Sequence, residues 1–284
     1  MSEPAIEQAV RHALREDQAG DDVTTRWSVP EDRSLRAELI ARGPGVIAGL
    51  EVVAEVYRQV DPRVDVVPEV KDGEQVDAGT RLARVSGPAR SVVTGERVAL
   101  NFLQRMSGIA TLTSTYVAAV AGTGVRLLDT RKTAPGLRAL DKYAVTCGGG
   151  HNHRMDLAAR VLLKENHLVA AGGVGAAIDA VRSGMAREAR DVVIEVEVTT
   201  LDEVRAALDA QVEWVMLDNM SLGDVRAAVA ERDRRTGHRR TLLEASGTIT
   251  LQTVQQVAAT GVDAISVGAL THSPAALDLT LLVA

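Results

Sequence analysis

Residues 192–218 read VVIEVEVTTLDEVRAALDAQVEWVMLD and contain two apolar runs separated by a helical stretch. The runs, at 192–198 and 212–217, are short and rich in valine, which is typical of buried strands. The residues between them carry the mixture of charged and apolar positions expected of an amphipathic helix. A strand, a helix and a second strand in this order predict two parallel strands joined by a right-handed crossover.

The same pattern recurs along the chain from Gly124 onward. Apolar runs, each followed by a polar residue and then a helical stretch, lie at residues 125–128, 161–163, 192–198, 212–217, 241–243 and 264–267. The repetition predicts a parallel sheet with helices between its strands. Since a closed β/α barrel has eight such units, the six runs predict an incomplete, open β/α barrel.

The residues before this repeat have a different pattern of apolar and turn-forming residues. We expect a helix at 4–16, short valine-rich strands within 34–85, an apolar helix at 50–60, and a long buried helix at 96–120 with Gly108 as a break. The chain is therefore predicted to be an α/β protein with an N-terminal α+β sandwich domain at 1–112 and the barrel at 113–272. The C-terminal tail, 273–284, is expected to pack back on the first domain.

Charge and composition narrow the function. The chain of 284 residues has 32 Lys and Arg against 38 Asp and Glu, a formal net charge of −6, which argues against a nucleic-acid partner. Aromatic residues make up only 2%, so a surface for base stacking is not expected. No apolar run is long enough to span a membrane. An arginine-rich run at 232–240 is expected to be a solvated loop.

The single cysteine, Cys147, excludes an internal disulfide framework and a cysteine-rich zinc site. It suits a reducing compartment. The N-terminus is acidic and lacks the basic and apolar regions of a signal peptide. We therefore expect a cytoplasmic protein.

Polar residues follow the predicted strands, at the end where parallel α/β sheets carry their chemistry. These strand-end residues are Asp129, Arg131, Lys164, Glu197, Asp218, Glu244, Ser246 and Gly268. Contact with solvent would account for any one of them. It accounts less well for several cations and carboxylates at one rim of an acidic protein, so we expect a site for small anions there.

The densest segment is DTRKTAPG at 129–136, followed by GGGHNHR at 148–154. Neighbouring side chains on an extended segment point to opposite sides, so Arg131 and Lys132 are expected to face different anionic groups. The guanidinium matches a carboxylate, and the ammonium is a compact charge suited to phosphate. The glycines allow close backbone approach, although such a run is more often a flexible turn.

The two histidines of this segment, His151 and His153, do not predict a metal site. The residues near them in the sequence offer neither a cysteine nor a carboxylate at suitable spacing as a third ligand. A cationic or hydrogen-bonding role of His153 beside Arg154 is favoured.

Three carboxylates lie in or after the central strands. Glu195 and Glu197 alternate with apolar residues and therefore project to the same face, where an unpaired carboxylate is costly to bury. For Asp218, a role in the site and a role as a helix N-cap or turn former are equally supported.

The last two strand ends, 244–248 and 266–272, combine small residues with a helical continuation. Free amides at such loops are the usual phosphate position in β/α barrels. Tight turns would account for the glycines of either loop by itself.

Taken in order, these segments resemble one known family. The matching segments are 16–25, 45–49, 96–111, 129–136, 142–154, 164–167, 195–198, 217–219, 244–247 and 267–273. They look like quinolinate phosphoribosyltransferase, also called nicotinate-nucleotide pyrophosphorylase, almost from end to end. The resemblance implies transfer of a phosphoribosyl group from phosphoribosyl pyrophosphate to the ring nitrogen of quinolinate. Loss of carbon dioxide then yields nicotinate mononucleotide for NAD biosynthesis, with pyrophosphate as the other product.

The resemblance also implies roles for individual residues in a homodimer. A cationic pocket for the quinolinate carboxylates would consist of Arg131, His153, Arg154 and Lys164, with Arg105 from the neighbouring subunit. Catalytic roles would fall to Lys132, Lys164, Glu197 and Asp218. Of these, Lys132, Glu197 and Asp218 would engage phosphoribosyl pyrophosphate, and the two carboxylates its Mg²⁺. The rest of the substrate site would be Thr130, Ser246, Gly247, Thr248, Val267, Gly268, Ala269 and His272, with the 5-phosphate at the loops 246–248 and 267–269. No organic cofactor is implied.

Two positions depart from the family pattern. Asp156 stands where similar sequences usually have Gly, and Glu165 stands where Asp is also common. The carboxylate of Asp156 would add negative charge near Arg154 and weaken the carboxylate pocket.

Three alternatives stay open at this point. A paralogue of the same fold linked to molybdenum uptake need not use quinolinate, but the cation set Arg105, Arg131, Arg154 and Lys164 favours the enzyme. A carrier module built on residues 70–85 would need an attachment lysine, and none follows that segment. A barrel enzyme that forms a Schiff base on Lys164 would be trapped by borohydride with a keto substrate.

Overall fold

The computed structural model describes residues 3–235 and 240–284. These residues form two compact units, each built from more than one stretch of chain. The first unit contains the described residues within 1–115, 132–150 and 269–284, and the second contains those within 116–131 and 151–268.

The helices and strands follow in chain order. The helices are α1 (Glu3–Glu16), α2 (Val23–Ser28), α3 (Leu50–Val60), α4 (Ala89–Ala119), α5 (Arg138–Cys147), α6 (Glu165–Ala171), α7 (Val174–Arg187), α8 (Leu201–Asp209), α9 (Leu222–Asp233), α10 (Val254–Ala258) and α11 (Ala269–His272), with a short 3-10 helix at Ala19–Asp21. The strands are β1 (Ser34–Ala41), β2 (Gly45–Val46), β3 (Asp65–Pro68), β4 (Gln75–Val76), β5 (Arg81–Pro88), β6 (Arg126–Leu128), β7 (Val161–Leu163), β8 (Ile194–Val198), β9 (Trp214–Asp218), β10 (Leu242–Ser246), β11 (Ala264–Ser266) and β12 (Leu279–Val283). Within the described ranges, no helix has the length and apolarity needed to cross a membrane.

The main sheet of the first unit is antiparallel, with strand order β12-β1-β5-β3. The C-terminal strand β12 pairs with β1, with Ala37 opposite Val283 and Ala41 opposite Leu279. The apolar face of α3, with Val53, Val56 and Tyr57 fully buried, belongs to the core of this unit. Burial of these large apolar side chains is the main contribution to the stability of this small sheet.

A carboxylate from outside helix α3 caps its N-terminus. Asp72 accepts hydrogen bonds from the amides of Gly49 and Leu50, at 3.0 Å and 3.1 Å, and from the Tyr143 hydroxyl at 3.0 Å. The capping carboxylate satisfies amides that an α-helix leaves unpaired and favours the positive end of its dipole. The loop between β3 and β4, which carries Asp72, therefore contacts both α3 and α5 within this unit.

Helix α4 runs without interruption through Gly108, so the predicted break there is wrong. A side chain at this position would bring its Cβ to 2.1 Å from the carbonyl oxygen of Ala275. Gly108 is therefore needed for close packing of the C-terminal segment on the helix rather than for a bend.

The second unit is a parallel sheet with strand order β6-β11-β10-β9-β8-β7 and helices between consecutive strands. Each predicted apolar run lies on one of these strands, with boundaries shifted by a few residues at most. The end strands β6 and β7 are not paired with each other among the strands described. The mixed fold, an N-terminal α+β domain followed by a parallel β/α sheet, confirms the predicted fold class.

Alternation along the strands divides this sheet into two faces. Val196, Val215 and Leu243 are fully buried on one face. The other face carries, in register across β8, β9 and β10, the residues Glu195, Glu197, Trp214, Met216, Asp218, Leu242, Glu244 and Ser246. Trp214 lies between two guanidinium groups, Arg126 at 5.1 Å and Arg160 at 4.8 Å from its ring centroid.

The arginine-rich run at 232–240 is only partly a loop. Arg232 belongs to α9, is 4% exposed and forms an ion pair with Asp263, which differs from the solvated loop predicted. Residues 236–239 of the run lie outside the described residues.

Candidate active site

The carboxyl ends of the parallel strands bring four of the predicted residues to one edge of the second unit. Lys164 directly follows β7, Glu197 is the fourth residue of β8, and Asp218 and Ser246 end β9 and β10. Asp218 and Ser246 are partners in the register of their two strands. Because parallel strands end on the same side, the strand order alone makes these residues neighbours.

Lys164 and Glu197 form an ion pair across adjacent strands. The Nζ atom of Lys164 lies 2.5 Å from Oε2 of Glu197, and the side chains are 49% and 16% exposed. Lys164 is also the residue before α6, and its backbone amide donates to Nδ1 of His167 at 3.0 Å. The turn that begins α6 therefore fixes the base of the Lys164 side chain, and the charged end lies at the surface of the site.

Two guanidinium groups lie near each other in the same unit. The Nε atom of Arg131 is buried and has no hydrogen-bond partner among the described residues. Burial, and after it the positive charge of Arg131, lower the pKa of Arg154. Two arginines that repel each other, one with an unsatisfied buried donor, form a site that an anion would stabilise.

Hydrogen bonds hold Arg154 both at its guanidinium and at its backbone amide. Its Nη1 atom donates to the carbonyl oxygen of Arg160 at 3.2 Å, and its backbone amide donates to Nδ1 of His153 at 2.7 Å. Asp156, the departure from the family pattern, accepts the amides of Ala158 and Ala159 at 2.8 Å and 2.9 Å. The Asp156 carboxylate therefore closes the loop before β7. Its negative charge raises the pKa of Arg154, but burial lowers that pKa by more.

His153 belongs to a buried polar cluster in the interior of the second unit. Its Nε2 atom lies 3.0 Å from Oε2 of Glu195 and 3.7 Å from Oε2 of Glu244, and all three side chains are at least 95% buried. Burial raises the pKa of Glu244 well above its ordinary value, and the charge of Glu195 adds to this effect. Burial also opposes ionisation of Glu195, but His153 and Arg160 outweigh it and lower the pKa of Glu195.

The sequence offers no third metal ligand near the two histidines, but the fold brings Glu195 and Glu244 to His153. Whether these three residues suit a metal ion therefore depends on the hydrogen bonds of the His153 ring. The Nδ1 atom of His153 accepts a hydrogen bond from a backbone amide, so the ring proton lies on Nε2. A histidine that binds a metal through Nε2 instead donates from Nδ1. The Nε2 atom, 3.0 Å from Oε2 of Glu195, therefore offers no lone pair to a metal ion.

Asn219 organises the loop after β10, and the sequence reasoning did not single it out. Its Oδ1 atom accepts the amide of Thr248 at 3.1 Å, and its own amide donates to the carbonyl of Ser246 at 3.0 Å. Gly247 has φ of 120°, and a Cβ there would lie 2.2 Å from Oδ1 of Asn219. Only glycine fits at this position, which explains the small residues of the loop.

The predicted phosphate loops use some of their amides within the protein. The amide of Val267 donates to the carbonyl of Leu128 at 2.9 Å, and that of Thr248 is bound by Asn219. Thr130 is partly buried, and Gly268 ends the second unit. The loops therefore present side-chain hydroxyls of Ser246 and Thr248 as well as backbone groups.

The remaining predicted residues, Arg105, Lys132, Ala269 and His272, belong to the first unit. Arg105 makes a bidentate ion pair with the fully buried Asp141, at 2.9 Å and 2.8 Å, and donates to the Thr271 carbonyl at 3.3 Å. Asp141 also accepts the amide of Ala134 at 3.0 Å. The sequence reasoning missed Asp141, which ties Arg105 to the loop that carries Lys132.

The other contacts of these residues lie near α11. The Thr271 hydroxyl donates to the Lys132 carbonyl at 2.8 Å, and Nδ1 of His272 lies 2.6 Å from the Ser273 hydroxyl. The triple glycine before His151 has a packing role, because a Cβ at Gly148 would lie 2.4 Å from the Ala110 carbonyl. The close backbone approach expected at these glycines is therefore made to helix α4.

Family models match nearly the whole chain. Residues 22–107 match the model described as quinolinate phosphoribosyl transferase, N-terminal domain, and residues 109–282 match that of the C-terminal domain. A nicotinate-nucleotide pyrophosphorylase [carboxylating] of Mycobacterium leprae is 43% identical over 281 residues, which cover 98% of this chain and 96% of the relative.

Two further comparisons agree. A mitochondrial quinolinate phosphoribosyltransferase [decarboxylating] of Nicotiana tabacum is 43% identical, covering 97% of this chain and 81% of the relative. The solved structure of a nicotinate-nucleotide pyrophosphorylase from Francisella tularensis superposes with a TM-score of 0.93 and 39% identity, covering 100% of this chain and 98% of the other. With both domain models matched in order and relatives similar over at least 81% of their length, this chain belongs to the quinolinate phosphoribosyltransferase family, the phosphoribosyltransferases of NAD biosynthesis.

Proposed function

We propose that this chain catalyses the decarboxylating reaction of its family. The ring nitrogen of quinolinate displaces pyrophosphate from the sugar of phosphoribosyl pyrophosphate, and the resulting pyridinium loses its adjacent carboxylate as carbon dioxide. A proton takes the place of that carboxylate, which gives nicotinate mononucleotide.

The observation that carries the proposal is the pair Arg131 and Arg154. A buried Nε donor without a partner next to a second guanidinium requires an anionic ligand with more than one oxygen. Quinolinate has two adjacent carboxylates and fits this requirement. The predicted pocket adds the ammonium of Lys164.

The cations bind the substrate and also influence the second step. Once the ring nitrogen carries the sugar, its positive charge stabilises the electron pair left behind when carbon dioxide departs. An ammonium at Lys164 orients the carboxylates, and water that would solvate them is excluded as the site fills. Neither a covalent nucleophile nor an organic cofactor is needed.

The carboxylates of Glu197 and Asp218 suit the donor substrate. The sugar carbon becomes positively charged as pyrophosphate leaves, and fixed carboxylates stabilise that charge and accept from the sugar hydroxyls. Carboxylate oxygens also suit Mg²⁺, and we propose that these two residues hold the ion that accompanies phosphoribosyl pyrophosphate. Bound there, Mg²⁺ would neutralise the departing pyrophosphate, and Lys132 would contact the same group.

The remaining roles complete the proposed site. The 5-phosphate is assigned to the loops 246–248 and 267–269, and Thr130 and His272 are proposed as further substrate-binding residues. We further propose a homodimer in which Arg105, held by Asp141, is contributed by the neighbouring subunit. We propose a functional division at the predicted boundaries, with residues 1–112 as the N-terminal domain and 113–272 as the substrate domain, which differs from the compact units in that residues 132–150 and 269–272 belong to the first unit. We also propose that the enzyme is cytoplasmic.

The test uses the purified full chain with quinolinate, phosphoribosyl pyrophosphate and Mg²⁺. We expect nicotinate mononucleotide and carbon dioxide in equal amounts, measured by chromatography and by release of label from the 2-carboxylate. Nicotinate, which lacks that carboxylate, is the matched control and should react far more slowly. If the protein forms no product and binds neither substrate, the proposed function is wrong.

A Schiff-base enzyme using Lys164 is the weaker candidate. The ion pair with Glu197 uses the charged ammonium, which is the form of lysine that cannot attack a carbonyl.

A further inference from the structure

Glu195 contacts both residues that hold Arg154. Its Oε2 atom lies 3.0 Å from Nε2 of His153 and also accepts Nη1 of Arg160 at 3.0 Å. The Glu195 side chain is fully buried and belongs to the second residue of strand β8, two positions before Glu197. A buried carboxylate with two charged or polar partners is held in one geometry, because losing either partner would leave it unpaired.

His153 supports the backbone of Arg154. The Nδ1 atom of the ring accepts the Arg154 amide at 2.7 Å, and the His153 amide is itself fixed by Oδ1 of Asp129 at 2.9 Å. With Nε2 directed at Glu195, both ring nitrogens face protein groups. The side chain is 95% buried among these groups, which favours a structural role over contact with a substrate.

Arg160 supports the other end of Arg154. The Arg160 carbonyl accepts Nη1 of Arg154 at 3.2 Å, and the Arg160 side chain is packed 4.8 Å over the ring of Trp214. Glu195 also forms an ion pair with the guanidinium of Arg160. Arg154 is thus anchored at its amide and at its guanidinium by two residues that share one carboxylate.

We propose that Glu195 is a positioning residue that sets Arg154 for quinolinate through His153 and Arg160, and that His153 belongs to this scaffold rather than to the substrate-contacting pocket. The proposal rests on the proposed function only in naming quinolinate as the ligand of Arg154. It differs from the role of His153 implied by the family resemblance. A shift of a positioned charge by a fraction of an ångström is enough to weaken binding of a rigid dicarboxylate.

The first test reads the ring directly and does not depend on turnover. In the substrate-free full chain with ¹⁵N-labelled histidine, long-range ¹⁵N-¹H spectra identify the protonated nitrogen, and His153→Asn assigns the signal among the 6 histidines. We expect a neutral ring protonated at Nε2, unchanged when quinolinate is added. A ring protonated at Nδ1, or one that changes state on quinolinate binding, would overturn the proposal.

The second test compares two replacements of His153. The Asn side chain can accept the Arg154 amide in place of Nδ1, whereas the longer Gln side chain reaches Glu195 and leaves that amide without its acceptor. We expect the KM for quinolinate to be at least about fivefold higher in His153→Gln than in His153→Asn. Equal increases in the two variants would indicate direct contact of the ring with substrate and would contradict the scaffold role.

Glu195→Gln tests the centre of the network. It should raise the KM for quinolinate about tenfold and change the KM for phosphoribosyl pyrophosphate about twofold or less. Met216→Leu, an apolar change on the same face of the sheet, is the control for packing and should leave the ratio of the two KM values unchanged. If Glu195→Gln raises both KM values equally, Glu195 has only a structural role.

Failure of the proposed function gives a different result, because wild-type protein would then form no nicotinate mononucleotide while the ring spectra still report the geometry. If a variant does not fold, shown by circular dichroism, the spectra of the wild-type protein decide.

Discussion

Lys164 and Glu197 form an ion pair with 2.5 Å between Nζ and Oε2. In the proposed function, Lys164 binds quinolinate and Glu197 binds phosphoribosyl pyrophosphate. The pair joins the ends of adjacent strands β7 and β8 and lies partly in solvent. In the proposed reaction each member gains a second partner when its substrate binds. The ion pair therefore links the two halves of the site.

Removal of the Lys164 charge should mainly affect the chemical step. We expect Lys164→Ala to lower kcat about 100-fold or more, since a fixed charge near the reacting carboxylate is lost. Lys71→Ala removes an exposed lysine from the first unit and is the matched control, with wild-type kcat expected. Initial rates at saturating substrates measure the effect, and a Lys164→Ala enzyme with near-normal kcat would remove Lys164 from the site.

The two arginines should tolerate replacement by lysine poorly. An ammonium cannot supply the planar pair of donors that a guanidinium offers to a carboxylate. We expect Arg131→Lys and Arg154→Lys each to raise the KM for quinolinate about tenfold, with little change for phosphoribosyl pyrophosphate. Saturation curves for each substrate provide the measurement. An equal effect on both substrates would argue against a quinolinate-specific pocket.

A site shared between subunits predicts complementation. Arg105→Ala and Lys164→Ala should each be inactive as homodimers, and a mixture should regain part of the wild-type activity. The recovery arises because one of the two sites in a heterodimer has both intact residues. Mass spectrometry must confirm exchange, and each variant alone passes through the same procedure as control. Exchange without recovery would place Arg105 outside the partner's site.

The raised pKa of Glu244 predicts a pH-dependent stability difference. Burial raises the pKa of Glu244 in the folded state, so folding favours the protonated form, and stability declines as pH rises above the pKa of an unfolded glutamate. Glu244→Gln does not titrate and avoids this decline. We therefore expect the Tm of Glu244→Gln relative to wild type to rise between about pH 5 and pH 8. Thermal melts at several pH values measure the difference, and a constant difference would contradict the assignment.

The close contact of α4 with the C-terminal segment predicts a packing defect. A Cβ at Gly108 would lie 2.1 Å from a backbone carbonyl that cannot move freely, so Gly108→Ala should lower the free energy of unfolding by about 1–3 kcal/mol. Gly43→Ala, where nothing lies within 4 Å of the new Cβ, is the matched control. Urea unfolding of both variants gives the comparison. Equal stability of the two would show that the segment 273–284 adjusts at little cost.

Much of the fold could be predicted from local patterns. The apolar runs coincide with β6 to β11 because burial of a parallel strand on both faces requires a short continuous apolar segment. Chain order then fixes where those strands end, so Lys164, Glu197, Asp218 and Ser246 could be assigned to one edge before any contact was known. Gly108 was misread because a sequence shows where a side chain is missing but not which neighbour occupies the space.

The sequence by itself determined the parallel β/α sheet, the family and the residue types gathered at the strand ends, since these depend on periodicity and order along the chain. Only the tertiary structure decided the partners of His153, Arg154 and Arg105. Glu195, Arg160 and Asp141 stand far from some of these residues in sequence, and strand register and helix packing bring them within hydrogen-bond distance. Local patterns report which face a side chain occupies, whereas pairing of buried charges depends on distances that the folded chain alone sets.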